Sequence, residues 1–371
     1  MSLKKRKIIN GLFALLSKFA IVFVLSAIFL IIFSLGRNAF DSLTDYVISI
    51  STKSNGALLE AVNKNDTSVI KSIVAKDLNE LLQDEKQIIF RHLPIVKIGD
   101  KNTYKIIVPF HSLNKECVEK LKEHKALETR FRFSFFVNKN SSDPSKAGIF
   151  SAFCGTVLTA FLALIIAVPL SLCTAIYLVE FSKRGFWASI IELNLFNLAS
   201  IPSILYSVIG FVIYLQLLKM ERASSLVGGM TLMLMSLPHL VITYMGALRD
   251  IPSSIKDASY ALGVNKIQTL YYHSLRYALP SFITGTILVL ARIAGETAPL
   301  LLIGMIAFIT EAPSNIFSPT TTMASQIYLW TQSPEPIFVE MASAAIMVLL
   351  LILFIINLFA QLVRKKFTIK W

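Results

Sequence analysis

Four stretches of this chain contain no Asp, Glu, Lys or Arg: Ile149 to Val179, Leu193 to Leu218, Ala223 to Leu248 and Met341 to Val363. No other feature narrows the possible folds so far. A helix rises about 1.5 Å per residue and the hydrocarbon core of a bilayer is about 30 Å thick, so about 20 mostly apolar residues span it. Each run is long enough. Helices are required because lipid offers no hydrogen bonds, so every backbone N–H and C=O must be satisfied within the segment. Across the 371 residues, 54% are hydrophobic and 16% charged, with a mean hydropathy of +0.64. Soluble domains are not built that way. The expected class is an all-α polytopic membrane protein.

The net charge of +13 would point to nucleic acid in a soluble chain. Here the basic residues sit beside apolar runs, where they orient a membrane protein, and no nucleic-acid partner is expected. Lys4, Lys5, Arg6 and Lys7 precede an apolar stretch from Leu12 to Ser34. That stretch is too long for the apolar part of a signal peptide, so it reads as an uncleaved first transmembrane helix with a cytoplasmic N-terminus. Further spans are expected at 149–179, 189–218, 225–248, 279–304 and 338–363. Six spans place the C-terminus in the cytoplasm too. Lys183 and Arg184 follow the second span and Arg364, Lys365 and Lys366 the sixth, whereas Met305 to Glu340 carries neither Lys nor Arg. Tyr328 and Trp330 in that outer loop suit a membrane interface. Pro169, Pro202, Pro238 and Pro299 are expected to kink or interrupt helices.

Three regions result. Residues 1–35 hold the N-terminus and first helix, 36–148 a small α+β domain on the extracytoplasmic side, and 149–371 a five-helix core. In the middle region Thr67 to Leu82 and Asn114 to Leu127 have helical spacing. Tyr104 to Phe110 and the alternating Arg130 to Val137 read as strands. His92, His111 and His124 are scattered and form no metal-ligand set. Cys154 and Cys173 fall in one apolar run as small packing residues, which leaves Cys117 without a partner and no structural disulfide.

The longest cytoplasmic segment, 249–279, reads as two short helices broken at a glycine. Ser253 or Ser254 would cap the first, with Asp257 near its first turn, and Gly263 would end it in a left-handed conformation. The second would resume from Gln268 to Tyr277. Asp257, Ala258, Ser259 and Gly263 resemble the EAA motif of permeases of ATP-binding-cassette (ABC) importers, with Asp257 in place of the usual Glu and Ser259 in place of an Ala. The resemblance implies that this loop is the coupling helix that docks on an ATPase subunit. The family often has Leu-Pro thirteen residues after the glycine. This chain has Leu275-Arg276, with Pro280 later, a pattern similar to the phosphate-specific members.

Arg292 and Glu296 are the only charges of the fifth span and fall near its middle. A central charge there costs about 2.5–3.5 kcal/mol on insertion scales. At spacing i, i+4 they stand on one helix face and partly neutralise each other. One reading is a salt bridge that merely locks helices. The other is a face lining a water-filled path, where a guanidinium fork fits phosphate bidentately. Gly295 and Pro299 would open the helix beside the pair. The run from Ala291 to Leu301, ARIAGETAPLL, resembles the signature of the phosphate-specific permeases called PstA, and the likeness extends over about 148–371. It implies that Arg292 and Glu296 take part in phosphate passage in the inner membrane. It also implies partners: a similar second permease (PstC), two copies of the ATPase PstB and a periplasmic phosphate-binding protein. The chain has no GxxxxGK[ST] motif and no nucleophile–base pair, so it is expected to bind no ATP or other cofactor and to catalyse nothing alone. A permease for sulfate or molybdate, a membrane sensor and an ion-driven secondary transporter are the competing readings.

Overall fold

The computed structural model describes residues 3–51, 95–98, 103–109, 127–144, 146–182 and 185–367. They divide into two compact units, Met1–Phe133 with Pro334–Met347, and Ser134–Ser333 with Val348–Trp371.

In the first unit, α1 (Leu3–Ser42) is much longer than its apolar stretch and leads directly into β1 (Thr44–Ser51). With β2 (Ile95–Ile98), β3 (Thr103–Pro109) and β4 (Leu127–Phe131) it forms an antiparallel sheet of order β2-β3-β1-β4. Ile48 stands opposite Ile106 on one side and Leu127 on the other. The strand at Tyr104 is therefore present as β3. The strand expected over Arg130 to Val137 ends at Phe131, and Ser134–Val137 (α2) is one helical turn. Phe135 on that turn is fully buried, so the alternation of phenylalanines marked a buried turn as well as a strand end. The helix expected over Asn114 to Leu127 lies outside the described residues except Leu127, which opens β4. The helix at Thr67 to Leu82, the three scattered histidines and Cys117 also lie outside them.

The second unit holds most of the long helices. Its elements are α3 (Phe150–Phe181), α4 (Phe186–Ala199), α5 (Ser203–Leu217), α6 (Ser225–Arg249), α7 (Ser253–Ala261), α8 (Lys266–Ala294), α9 (Ala298–Leu301) and α10 (Met323–Thr331). The final helix α11 (Pro336–Phe367) contributes its later part. Among the described residues five helices are long and apolar enough to cross a membrane, six if α4 and α5 count as one span.

The third expected span is not one helix. α4 and α5 meet at 102°, because Pro202 lacks an N–H and disfavours helix at the residue before it. The Tyr206 hydroxyl donates to the Leu198 carbonyl at 2.7 Å and staples the bend. The packing of α3 on α6 decides how the pair crosses. α3 carries a small residue every fourth position: Gly155, Thr159, Ala163, Ala167, Ser171 and Ala175, all buried. Such a stripe lets helix backbones approach closely in lipid. A Cβ on Gly229 would lie 2.7 Å from the Leu162 Cβ, and the Ser171 hydroxyl donates to Leu237 O at 3.3 Å. Residue numbers rise together along the contact, so α3 and α6 run in the same direction. The chain between them must return across the bilayer once, and α4–α5 is that crossing.

The segment 305–340, expected as an outer loop, is also more than a loop. Thr320, Thr321 and Thr322 are buried, and Met323 donates its N–H to the Thr156 hydroxyl of α3 at 2.8 Å. Trp330 is only 3% exposed and packs on Phe135, so its ring is enclosed by protein. Tyr328 is exposed. Cys154 is half-buried and Cys173 exposed, both as free thiols.

Candidate functional site

The fifth span, expected at 279–304, is displaced toward its start. α8 begins at Lys266, passes through one wide turn at Leu270–Ser274 and ends at Ala294. The second short helix expected in the loop 249–279 is therefore the first part of α8. Its end has a chemical cause. Pro299 has no N–H to give to Gly295, and its ring would strike that carbonyl if the helix went on. Gly295 is the C-cap and Pro299 falls in the first turn of α9.

Arg292 and Glu296 thus do not stack on one continuous helix face. Arg292 lies in the last turn of α8, where the helix dipole favours a cation, and Glu296 lies beyond it in the break. The pair still forms, with Arg292 Nε 3.7 Å from Glu296 Oε1. The Arg292 side chain is 49% exposed and that of Glu296 21%, so neither is sealed in dry packing. The direction of Arg292 follows from helix geometry. Leu290 and Ala294 line an almost entirely apolar groove of ≈ 450 Å³ with residues of α3, α10 and α11. At about 100° per residue, position 292 lies about 160° away from both. Arg292 therefore points away from that groove.

On its own side are α5 and α6. Tyr206 of α5 and His239 of α6 lie within reach of the Arg292 charge. α6 and α8 run antiparallel: the Tyr244 and Thr286 hydroxyls are 2.6 Å apart and the Tyr244 ring meets Phe282 edge-on at 5.0 Å. Toward the other end of α6, Ala223 donates to Ile303 O beyond α8. Tyr206 and His239 are thus the polar residues of α5 and α6 that the Arg292 charge reaches, beside the Arg292–Glu296 pair at the helix end. Sequence reasoning missed Tyr206 and His239. His239 is the one titratable imidazole or acid in the run Ala223 to Leu248, and an ionisable residue inside a span is itself a functional signal.

The loop 249–279 is built residue by residue. Pro252, not Ser253 or Ser254, occupies the N-cap of α7, so no side chain caps it. Gly263 has φ +78°. Its N–H bonds to Tyr260 O at 2.9 Å and that of Val264 to Ser259 O at 3.2 Å, which is a Schellman close. Asn265 and Gln268 then form a capping box that opens α8. Ser259 is buried and its hydroxyl lies 2.8 Å from that of Thr269, which accounts for a serine where the motif usually has alanine. Asp257, Ala258 and Gly263 are exposed. Leu262 and Ile267, 84% and 67% exposed, form an apolar tip with Tyr260 and Tyr271.

Among the described residues no group of three or more His, Cys, Asp or Glu could hold a metal ion. A bent span, a charged pair at a helix break and a short loop helix with an apolar tip belong to a membrane-embedded protein of several spans. Residues 147–369 match the model of the binding-protein-dependent transport system inner membrane component, and the chain belongs to that family. It is a multi-pass inner-membrane protein.

Among its relatives is the phosphate transport system permease protein PstA of Yersinia pestis. The two are 29% identical over 220 residues, 59% of this chain and 73% of that protein. PstA 1 of Mycobacterium tuberculosis (strain CDC 1551 / Oshkosh) is 31% identical over 218 residues, 58% of this chain and 70% of the other. A solved structure of the MetNI methionine ABC transporter aligns with a TM-score of 0.46 at 15% identity, covering 60% of this chain and 95% of that one.

Proposed function

We propose that this chain is one of the two permease subunits of an ABC importer that moves inorganic phosphate across the inner membrane, driven by a separate ATPase. The observation that carries the reading is the placement of Arg292. Its guanidinium is half-exposed, faces away from the apolar groove and is held by Glu296 at the break after α8. A cation retained there at a cost of kilocalories needs a reason, and an anion passing it is one. The guanidinium fork can hold two phosphate oxygens at once. Glu296 orients it, and its carboxylate can accept the proton of a phosphate hydroxyl. The names of the relatives support phosphate as the anion.

The remaining parts follow from the same reading. The exposed tip around Asp257, Ala258 and Gly263 docks on one of two PstB-like ATPases. A PstC-like permease completes the pore, and a periplasmic phosphate-binding protein delivers the substrate. Both termini lie on the cytoplasmic side with α7. The test is uptake of labelled phosphate, sulfate and molybdate into vesicles holding the co-purified complex. Selective phosphate uptake that requires ATP and falls at least about tenfold in Arg292→Ala is the expected result. Equal uptake of sulfate, or undiminished phosphate uptake by that variant, refutes it.

A further inference from the structure

The cytoplasmic loop helix α7 is joined by the chain to α6 on one side and α8 on the other. Its inward face makes a third connection. Lys256 and Ser259, three residues apart, share one side of α7. Ser259 pairs with Thr269 of α8. Lys256 instead reaches back to the end of α3, where its Nζ donates to Glu180 Oε1 at 2.6 Å. Glu180 is nearly enclosed, its side chain 8% exposed, and Lys256 is 21% exposed. One residue on, the Phe181 ring lies beneath the Lys266 ammonium of α8, 5.2 Å from its centroid.

The last turn of α3, Tyr177–Phe181, is a π turn. Such wide turns are rare and concentrate at functional sites. A short, charge-assisted bond to a nearly enclosed carboxylate is stiff, and removing either partner leaves the other charge uncompensated. It is a poor choice for stability alone and a good one for fixing a register.

We propose that the Glu180–Lys256 pair is a strut that carries movement of α7 into α3. Load on the exposed tip of α7 enters α6 and α8 through the backbone. α3 ends 72 residues before α7 begins (253 − 181), and the strut links the two directly. Because α3 lies along α6 on its small-residue stripe, the strut keeps these two spans moving in step when α7 is pushed. Glu180 and Lys256 are thus positioning residues, distinct from the pair at Arg292. The inference rests on the reading of α7 as the ATPase-docking helix.

The test uses the complete complex in proteoliposomes, with phosphate uptake and ATP hydrolysis measured in the same vesicles. Lys256→Met and Glu180→Gln should still assemble and hydrolyse ATP. Phosphate moved per ATP should fall about tenfold, within the roughly 5–150-fold range of typical coupling energies. The exchange Glu180→Lys with Lys256→Glu should restore most of that ratio. An unchanged ratio in both single variants overturns the strut. So does a loss of assembled complex with the ratio unaltered, which marks a joint that only holds the fold. A second variant separates this from the reading beneath it. Leu262→Asp at the exposed tip of α7 that still co-purifies with the ATPase refutes the docking reading, whereas loss of the ATPase in that variant together with an unchanged ratio in Lys256→Met and Glu180→Gln refutes the strut alone.

Discussion

Adding one methyl group at two glycines should move stability in opposite directions. Gly155 lies on the small-residue stripe of α3, and a Cβ there would collide with the Thr321 carbonyl oxygen and sit 2.7 Å from Thr320 Cγ2. The first obstacle is backbone and cannot rotate away. α3 or the buried 320–322 segment must shift, and with it the 2.8 Å bond from the Met323 N–H to the Thr156 hydroxyl one residue along the helix. Overpacking costs about 1–3 kcal/mol and a lost hydrogen bond about 1 kcal/mol. Alanine returns about 0.5–1 kcal/mol over glycine in a helix interior. Gly155→Ala should therefore lose about 1–3 kcal/mol. At about 2–4 °C per kcal/mol for a unit of this size, Tm drops by several degrees. Gly246 on α6 is exposed, and a Cβ there meets nothing within 4 Å. Gly246→Ala should gain up to about 1 kcal/mol from helix propensity alone. Thermal unfolding of the purified chain in detergent, followed by circular dichroism, measures both. Equal effects of the two substitutions would show that the close approach of α3 to the 320–322 segment is not real.

Other substitutions test the site and the loop. Replacing Arg292 by Ala removes a charge-assisted bond worth about 1.5–3 kcal/mol, so phosphate uptake should fall at least about tenfold; Arg292→Lys, which keeps the charge but not the fork, should fall between that variant and wild type. Glu296→Gln should lower uptake while changing thermal stability by less than about 1 kcal/mol, since at 3.7 Å and with Arg292 half-exposed the pair is too loose to contribute much to folding; a large drop in Tm would mark the pair as a structural lock. Gly263→Ala forces an L side chain to φ +78° and should cost about 1 kcal/mol or more and weaken ATPase binding in pull-down measurements. Ser259→Ala leaves the buried Thr269 hydroxyl without its neighbour and should cost about 1 kcal/mol, read in the same melts.

Much of the site was legible in the chain because it depends on near neighbours. Arg292 and Glu296 stand out as charges in an apolar run, and four residues of separation bring them within reach of each other whether the backbone is helical or just leaving a helix. Gly263 ends α7 because only a local backbone twist is at stake. The exact helix end was less legible: Gly295 and Pro299 mark a break, but which residue stops the helix depends on what the freed carbonyls and the next turn find around them. Pro202 similarly announces an interruption without its angle.

What the sequence determined by itself is the membrane class, the sequence limits of most spans and the chemistry carried by Arg292, Asp257 and Gly263, because hydropathy, charge and turn propensity act over a few residues. Only the tertiary structure decided that α4 and α5 bend into one crossing, that residues 320–322 are core and not loop, and that Glu180 holds Lys256. These are contacts between positions tens to well over a hundred residues apart. Their energy depends on which helix faces meet, and a helix face is chosen by packing against every neighbour at once, which no local pattern encodes.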